Sequence, residues 1–163
     1  MQNLINFDDV NTRIITIRNQ NVILDSDVAV LYGVQTRDIN KSVSNNLDKF
    51  PDGYVIELDK KEFADLKWKI STSSWGGTRK LPKAFTEKGL YMLATILKSS
   101  RAIQTTIAIV ETFTKIRELS RLATLKEKNT ELTNQLQTIS LLVINEVPLT
   151  KEMIMEIIGI RRR

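Results

Sequence analysis

Residues 24–43 carry the spacing of two short helices joined by a glycine turn, and this spacing constrains the fold more than any other feature. Ala29 supplies a small side chain where two helices can cross, and Gly33 tolerates the positive φ of a tight turn. Ile39 supplies a branched apolar side chain that can anchor the second helix. The pattern therefore predicts a helix-turn-helix.

The second helix of such a pair is polar at its start. In DNA-binding proteins of this type, that helix lies in the major groove with its N-terminal residues on the base edges. An ordinary helical hairpin inside a core would show similar spacing, so both interpretations remain open at this point. The residues able to hydrogen-bond to bases or phosphates are Gln35, Thr36, Arg37, Asn40 and Lys41.

Composition excludes several classes of protein. The 163 residues include no cysteine and no histidine, which removes disulfides, thiol catalysis and the commonest transition-metal ligand. We therefore expect neither an enzyme nor a cofactor or metal site.

No apolar run approaches the roughly 20 residues that cross a bilayer, and the N-terminus lacks a signal-peptide pattern. These features predict a cytoplasmic protein with no membrane partner.

Positive charge is concentrated in the middle of the chain. Residues 1–60 carry a net charge of −3, residues 61–100 carry +5 and residues 101–163 carry +3. Within the basic part, Ser71–Lys83 contains a glycine pair between a tryptophan and basic residues, which predicts a hairpin or loop. In a winged DNA-binding domain, Arg79, Lys80 and Lys83 would contact phosphates; otherwise this is a solvated turn.

The chain predicts an α+β fold that is mostly helical. A small hairpin is expected from Ile14–Asn19 and Val22–Leu24, with a turn at Asn19–Asn21. A further strand is expected over Tyr54–Leu58, and the second helix of the pair should run from Thr36 to about Leu47. The residues expected to cap helices are Asp25 or Ser26, Asp59 with Glu62, Thr86, and Ser99 or Ser100.

A long C-terminal helix begins near Arg101 and continues beyond the domain. We place the domain boundary at residue 120, with residues 121–163 as a helical extension. Apolar residues recur along the first part of the helix at intervals of three and four, which predicts one stripe packed against the domain. The members of this stripe are Ile103, Ile107, Val110, Phe113, Ile116 and Leu119.

From residue 122 the apolar residues follow a seven-residue repeat, which continues for three heptads. This pattern predicts a coiled coil and a homodimer. Asn129 falls at an a position, where a buried asparagine can fix register. The basic flanking residues Arg121, Lys126 and Lys128 provide no opposite-charge pairing for a parallel zipper, so packing back on the domain is the alternative. The dimerisation residues are Leu122, Leu125, Asn129, Leu132, Leu136, Ile139 and Val143.

Several motifs recur in an order that resembles a known family. They are the segments 17–34, 50–51, 76–79, 84–93 and 100–104. Over residues 8–120 the chain resembles the phage "ORF-six N-terminal" domain, a relative of the KilA-N and Bro-N domains. The resemblance implies a DNA-binding domain of phage and bacterial proteins with regulatory roles, including antirepressor-like ones.

Two functions follow as hypotheses. The first is double-stranded DNA binding by a phage-type or bacterial transcription regulator. The second is a protein-interaction module that sequesters a DNA-binding regulatory protein through its C-terminal helices. A magnesium-dependent nuclease built on Asp25, Asp27 and Glu57 ranks third, since Asp25 and Asp27 also fit the first turn of a helix.

Overall fold

The computed structural model describes residues 4–69, 80–146 and 148–159. The chain divides into two compact units, Met1–Thr114 and Lys115–Arg163. The first unit combines helices with a small antiparallel sheet, and a long helix begins in it. The predicted α+β, mostly helical class with a long C-terminal helix is therefore confirmed.

The elements follow one another in a mixed order. The strands are β1 (Ile14–Ile17), β2 (Gln20–Leu24), β3 (Val55–Glu57) and β4 (Lys83–Thr86). The helices are α1 (Phe7–Asn11), α2 (Asp25–Tyr32), α3 (Thr36–Ser44), α4 (Lys60–Lys69), α5 (Glu87–Ala94), α6 (Ser100–Ile144) and α7 (Lys151–Ile157), with a 3-10 turn at Leu47–Lys49.

Strands β1 and β2 form the expected hairpin, but its turn lies earlier than predicted. Arg18 and Asn19 occupy the turn with φ of 50° and 60°, and Ile17 pairs with Gln20. Two consecutive residues with positive φ match the right-handed twist of the two strands. The predicted turn at Asn19–Asn21 was therefore wrong, because Gln20 already belongs to the second strand.

The four strands pair in the order β1-β2-β4-β3, all antiparallel, and the sheet contributes buried residues to a core cluster on each face. Successive side chains of a strand point to opposite faces. Ile23 and Phe85 accordingly join the larger core cluster. Val22, Leu24 and Ala84 join a smaller cluster on the other face. The sheet thus separates two hydrophobic layers.

Helix α4 begins with the predicted capping box. The Asp59 N–H donates to Glu62 Oε2 at 3.0 Å, and the Glu62 N–H donates to Asp59 Oδ1 at 2.8 Å. Arg18 also donates from Nε and Nη2 to the two Glu62 oxygens at 2.8 and 3.0 Å. The hydrogen bonds between the two side chains favour their charged forms. They hold the pKa of Glu62 below its ordinary value and raise the pKa of Arg18. The hairpin turn is thereby tied to the start of α4.

Two other predicted caps are present, and one is not. Thr86 caps α5 by accepting from the Gly89 N–H, and Ser99 accepts from the Ala102 N–H at the start of α6. At α2 the cap position is Leu24, whose side chain makes no capping bond. The prediction of Asp25 or Ser26 as the cap was wrong, because Asp25 is already the first helical residue. Its carboxylate instead accepts a hydrogen bond from Asn40 of α3.

The part of α6 that belongs to the N-terminal unit packs with a different face from the predicted stripe. Ile103, Ile107 and Val110 are exposed, whereas Phe113 is buried as expected. The packed face consists mostly of alanine and threonine, whose small side chains let α6 lie close to its neighbours. The Thr105 and Thr112 hydroxyls donate to backbone carbonyls. The buried residues of α6 are Ala102, Thr105, Ala108, Ile109, Thr112 and Phe113.

In the C-terminal unit, the predicted heptad residues of α6 lie along helical backbone and are largely exposed. Helix α7 follows, with the Thr150 hydroxyl accepting from the Met153 N–H at 3.2 Å. Across residues 4–69, 80–146 and 148–159, the structure contains no helix with the length and apolarity needed to cross a bilayer.

Candidate nucleic-acid interface

Helices α2 and α3 form the predicted pair, joined by Gly33, Val34 and Gln35. Gly33 ends α2 in the left-handed conformation, with φ 67° and ψ 36°. The Val34 N–H then donates to the Ala29 carbonyl at 3.0 Å, which satisfies a carbonyl that the helix end would leave free. The turn therefore uses the glycine that the sequence pattern singled out.

Apolar and polar contacts together hold α3 in place. Ile39 and Val43 are buried in the larger core cluster. Asn40 is half-buried and donates from Nδ2 to Asp25 Oδ2 at 2.8 Å, while Asp25 Oδ1 accepts from the Ser26 N–H at 2.9 Å. Because Asp25 is only 5% exposed, this contact satisfies a buried carboxylate and fixes α3 to the start of α2.

The other end of α2 is fixed to α6. Thr105 is fully buried and donates from Oγ1 to the Leu31 carbonyl at 3.1 Å. The hydroxyls of Tyr32 and Thr106 are hydrogen-bonded at 2.9 Å. Burial raises the pKa of Tyr32, since desolvation disfavours the phenolate. Helix α2 is thus held at both ends by hydrogen bonds to neighbouring helices.

The outer face of α3 carries exposed positive charge. The Arg37 side chain is 80% exposed, and Lys41 and Ser44 are also exposed. These residues are spaced by four and three positions, so they form one ridge along the helix. Asp38 lies beside Arg37, with Nε and Oδ1 3.8 Å apart, in a solvated setting. The ridge can therefore approach a polyanion without displacing any core contact.

The remaining two predicted residues of this group lie at the start of α3. Gln35 is exposed at the cap position, and its backbone N–H donates to Asp38 Oδ2 at 3.4 Å. Thr36 is half-buried as the first helical residue. Of the five predicted residues, Gln35, Arg37 and Lys41 are exposed and Thr36 is half-buried. The Asn40 amide nitrogen is used inside the domain, in its hydrogen bond to Asp25.

Arg101, at the start of α6, lies against the turn and was missed from the sequence. A Cβ added to Gly33 would come within 2.5 Å of Arg101 Nε and 2.7 Å of its Cζ. Arg101 is exposed, so its guanidinium sits at the surface beside the junction of α2 and α3. Arg101 lies in segment 100–104, one of the motifs that carry the family resemblance, and this could have pointed to it. The motif alone gave no chemical reason to select Arg101.

The structure describes two of the three basic loop residues, and they differ in exposure. Lys80 is exposed just before β4. Lys83 lies on β4 opposite Glu57 of β3, with Nζ and Oε1 3.4 Å apart, and its side chain is only 26% exposed. Arg79 and most of the predicted loop lie outside the described residues. Lys80 is the loop cation that the structure presents openly.

The three carboxylates considered for a metal site have other partners. Asp25 binds Asn40, Asp27 Oδ1 lies 2.7 Å from Arg13 Nη1, and Glu57 is paired with Lys83. Within the described ranges, no group of three or more acidic, histidine or cysteine residues could hold a metal ion. The arrangement offers positive charge and hydrogen-bond donors at the surface rather than a cluster of metal ligands.

Comparison with protein-family models matches the ORF6N domain to residues 12–96. The matched region contains the hairpin, the helix pair, α4, β4 and α5. Searches of curated proteins and of solved structures found no match.

Proposed function

The chain belongs to the ORF6N domain family, a phage-type regulatory family, and on that premise we propose that it binds double-stranded DNA as a transcription regulator. Helix α3 enters the major groove, with Gln35, Thr36, Arg37 and Lys41 toward the bases and phosphates. The observation that carries the proposal is the exposed ridge of Arg37 and Lys41 on a helix whose opposite face is anchored by Ile39 and Val43.

The proposed groove contact follows from the shape and chemistry of α3. The major groove of B-DNA is about 12 Å wide and admits one α-helix. Arg37 can donate two hydrogen bonds to the O6 and N7 atoms of guanine, which is the commonest specific contact of this kind. Lys41 lies one turn further along the same ridge, where it can reach a base or the phosphate backbone.

Phosphate contacts are assigned to residues outside α3. Arg101 lies beside the Gly33 turn, and Lys80 is exposed ahead of β4. Phosphate contacts fix the register of a protein on DNA but carry little sequence information. Asn40 is assigned a positioning role, because its amide already binds the buried Asp25 carboxylate.

Fluorescence anisotropy of labelled duplexes titrated with the purified chain tests the proposal. A preferred duplex is first selected from random sequences, and binding is then measured across a range of salt concentrations. We expect Arg37→Ala to weaken the preferred site by about 1–3 kcal/mol and to reduce discrimination between duplexes. Arg101→Ala should weaken all duplexes alike and reduce the salt slope by about one unit.

Lys151→Ala is the matched control, since it removes one exposed positive charge from α7. It should leave the affinity for both duplexes nearly unchanged. Absence of binding at about 50 mM salt would overturn the proposal. Equal effects of Arg37→Ala and Lys151→Ala would overturn the assignment of α3 to the groove.

A second candidate function is capture of another regulatory protein, and one observation favours it. Ile103 and Ile107 are 55% and 52% exposed on α6, within the N-terminal unit. Exposed apolar residues that cluster on one surface are typical of protein-binding sites. Ile103→Ser with Ile107→Ser should then abolish an antirepressor-like activity in a reporter assay while leaving DNA affinity intact. Retained activity would remove this candidate.

A further inference from the structure

The heptad face of α6 is an apolar strip in the C-terminal unit, interrupted only by Asn129. Its positions alternate at intervals of three and four over residues 122–143, which keeps them on one side of a helix when two helices supercoil. Five of these side chains are more than half exposed, although leucine and valine are usually buried. They are Leu122 at 51%, Leu125 at 52%, Leu132 at 58%, Leu136 at 66% and Val143 at 58%.

We propose that a second copy of this chain covers the strip as a parallel two-stranded coiled coil, with Asn129 paired to Asn129 of the partner subunit. The strip is self-complementary, because alternating a and d side chains fill the spaces between the same positions of an identical helix. Three heptads reach the length at which such a pattern indicates a coiled coil. The proposal concerns the C-terminal unit alone and does not depend on DNA binding.

The flanking charges bear on the direction of the two helices. In a parallel pair, a g residue faces the e residue five positions later in the partner. Arg121 would then face the partner's Lys126, whereas Lys128 would face the partner's Thr133 and Gln135 would face the partner's Ser140. The repulsion is confined to one solvent-exposed level at the start of the strip. An exposed pair of this kind changes an equilibrium by less than about fivefold.

Asn129 favours the parallel direction more strongly than the charges oppose it. In an antiparallel pair, a positions face d positions, so Asn129 would face Leu125, Leu132 or Ile139 of the partner subunit. A buried amide without a hydrogen-bond partner costs about 5–150-fold in an equilibrium constant. A parallel pair places the two Asn129 amides together, where each can donate to the other. The amide contact therefore decides the direction.

Sedimentation velocity on the full chain gives the first test. Over about 1–200 µM, the chain of 18.6 kDa should reach twice that mass. Leu132→Asp should weaken association by more than about 100-fold, because it buries an unpaired charge. Leu132 is exposed in the single chain, so the variant should keep its helical circular dichroism. A monomeric mass throughout, or an unchanged dimer in Leu132→Asp, overturns the proposal.

Cysteine cross-linking tests the direction, and the chain has no cysteine of its own. Leu132→Cys should form a disulfide-linked dimer under mild oxidation, because equivalent d positions meet only in a parallel pair. Asn134→Cys, at an outward f position, is the control and should remain uncross-linked. A dimer in which Leu132→Cys fails to cross-link overturns the parallel arrangement.

Two further variants test the individual contacts. Arg121→Glu would face the partner's Lys126 and should strengthen the dimer by up to about fivefold for each of the two symmetry-related pairs. Lys128→Glu faces the partner's Thr133 and should not strengthen it. Asn129→Val should strengthen association and admit larger assemblies, since it removes the polar contact that fixes the oligomeric state. Equal effects of the two charge reversals, or an unchanged Asn129→Val, overturn these contacts.

Discussion

One hydrogen bond inside the N-terminal unit, between Asn40 and Asp25, separates Asn40 from the outward-facing polar side chains of α3. Asn40 lies on the same helix as Arg37 and Lys41, but its Nδ2 donates to a buried carboxylate. Its Oδ1 is also buried and has no hydrogen-bond partner within the described parts of the chain. The sequence predicted Asn40 as a groove contact because its position near the start of the second helix and its polar side chain allow hydrogen bonds to bases or phosphates. Residue type could not reveal the Asp25 contact, which requires the two helices to be brought together.

Asn40→Ala separates a positioning role from base reading. The substitution leaves the buried Asp25 carboxylate without its side-chain donor, so we expect the free energy of unfolding to fall by about 1–3 kcal/mol. Arg37→Ala, at an exposed position of the same helix, should leave stability nearly unchanged. Urea unfolding followed by circular dichroism measures both values. Equal stability of the two variants would contradict the role given to Asn40.

Secondary structure elements were predictable wherever a local signal was sufficient. Capping residues located the starts of α4 and α5, and the glycine turn located the α2–α3 pair. The face that α6 buries was not predictable. Residues 102–113 offer two usable faces, and the sequence pattern favoured the one with larger apolar side chains. The packed face uses alanine and threonine, because Thr105 reaches the carbonyl of Leu31 in a helix from elsewhere in the chain.

The turn between α2 and α3 can be tested by comparing two glycines with positive φ. An alanine at Gly33 adopts an unfavourable left-handed conformation, which costs about 1–2 kcal/mol, and also meets Arg101. Gly53 has φ +85°, but a Cβ there would meet no atom within 4 Å. Gly33→Ala should therefore lower the melting temperature more than Gly53→Ala does. Adding Arg101→Ala should recover part of the Gly33→Ala loss, and a purely additive double variant would contradict the steric contact.

At the scale of the whole molecule, the folded N-terminal unit extends beyond the matched family region. The match ends at residue 96, yet Ala102, Ile109 and Phe113 of α6 belong to the larger core cluster. Each fully buried large apolar side chain contributes about 1.5–3 kcal/mol. Ile109 and Phe113 together therefore contribute about 3–6 kcal/mol, which is a large share of the total stability of a small domain, about 5–15 kcal/mol.

Two fragments test the extent of this unit. Residues 1–121 should unfold in one cooperative thermal transition, because they retain every buried residue of α6. Residues 1–96 should lack that transition and bind a hydrophobic dye, since the surface covered by Ile109 and Phe113 is left open. Differential scanning calorimetry distinguishes the two fragments. Cooperative unfolding of residues 1–96 would show that α6 is dispensable for the core.

The course of α6 also bears on how such a chain can diversify. The last buried residue of the helix is Phe113, and Arg117–Arg121 are all exposed ahead of the first heptad position at Leu122. Recombination within those exposed residues would exchange one C-terminal segment for another without altering a packed side chain. It would need only to preserve helical backbone across the junction. The exposed stretch of α6 is therefore a point at which one core can acquire different C-terminal segments by gene fusion.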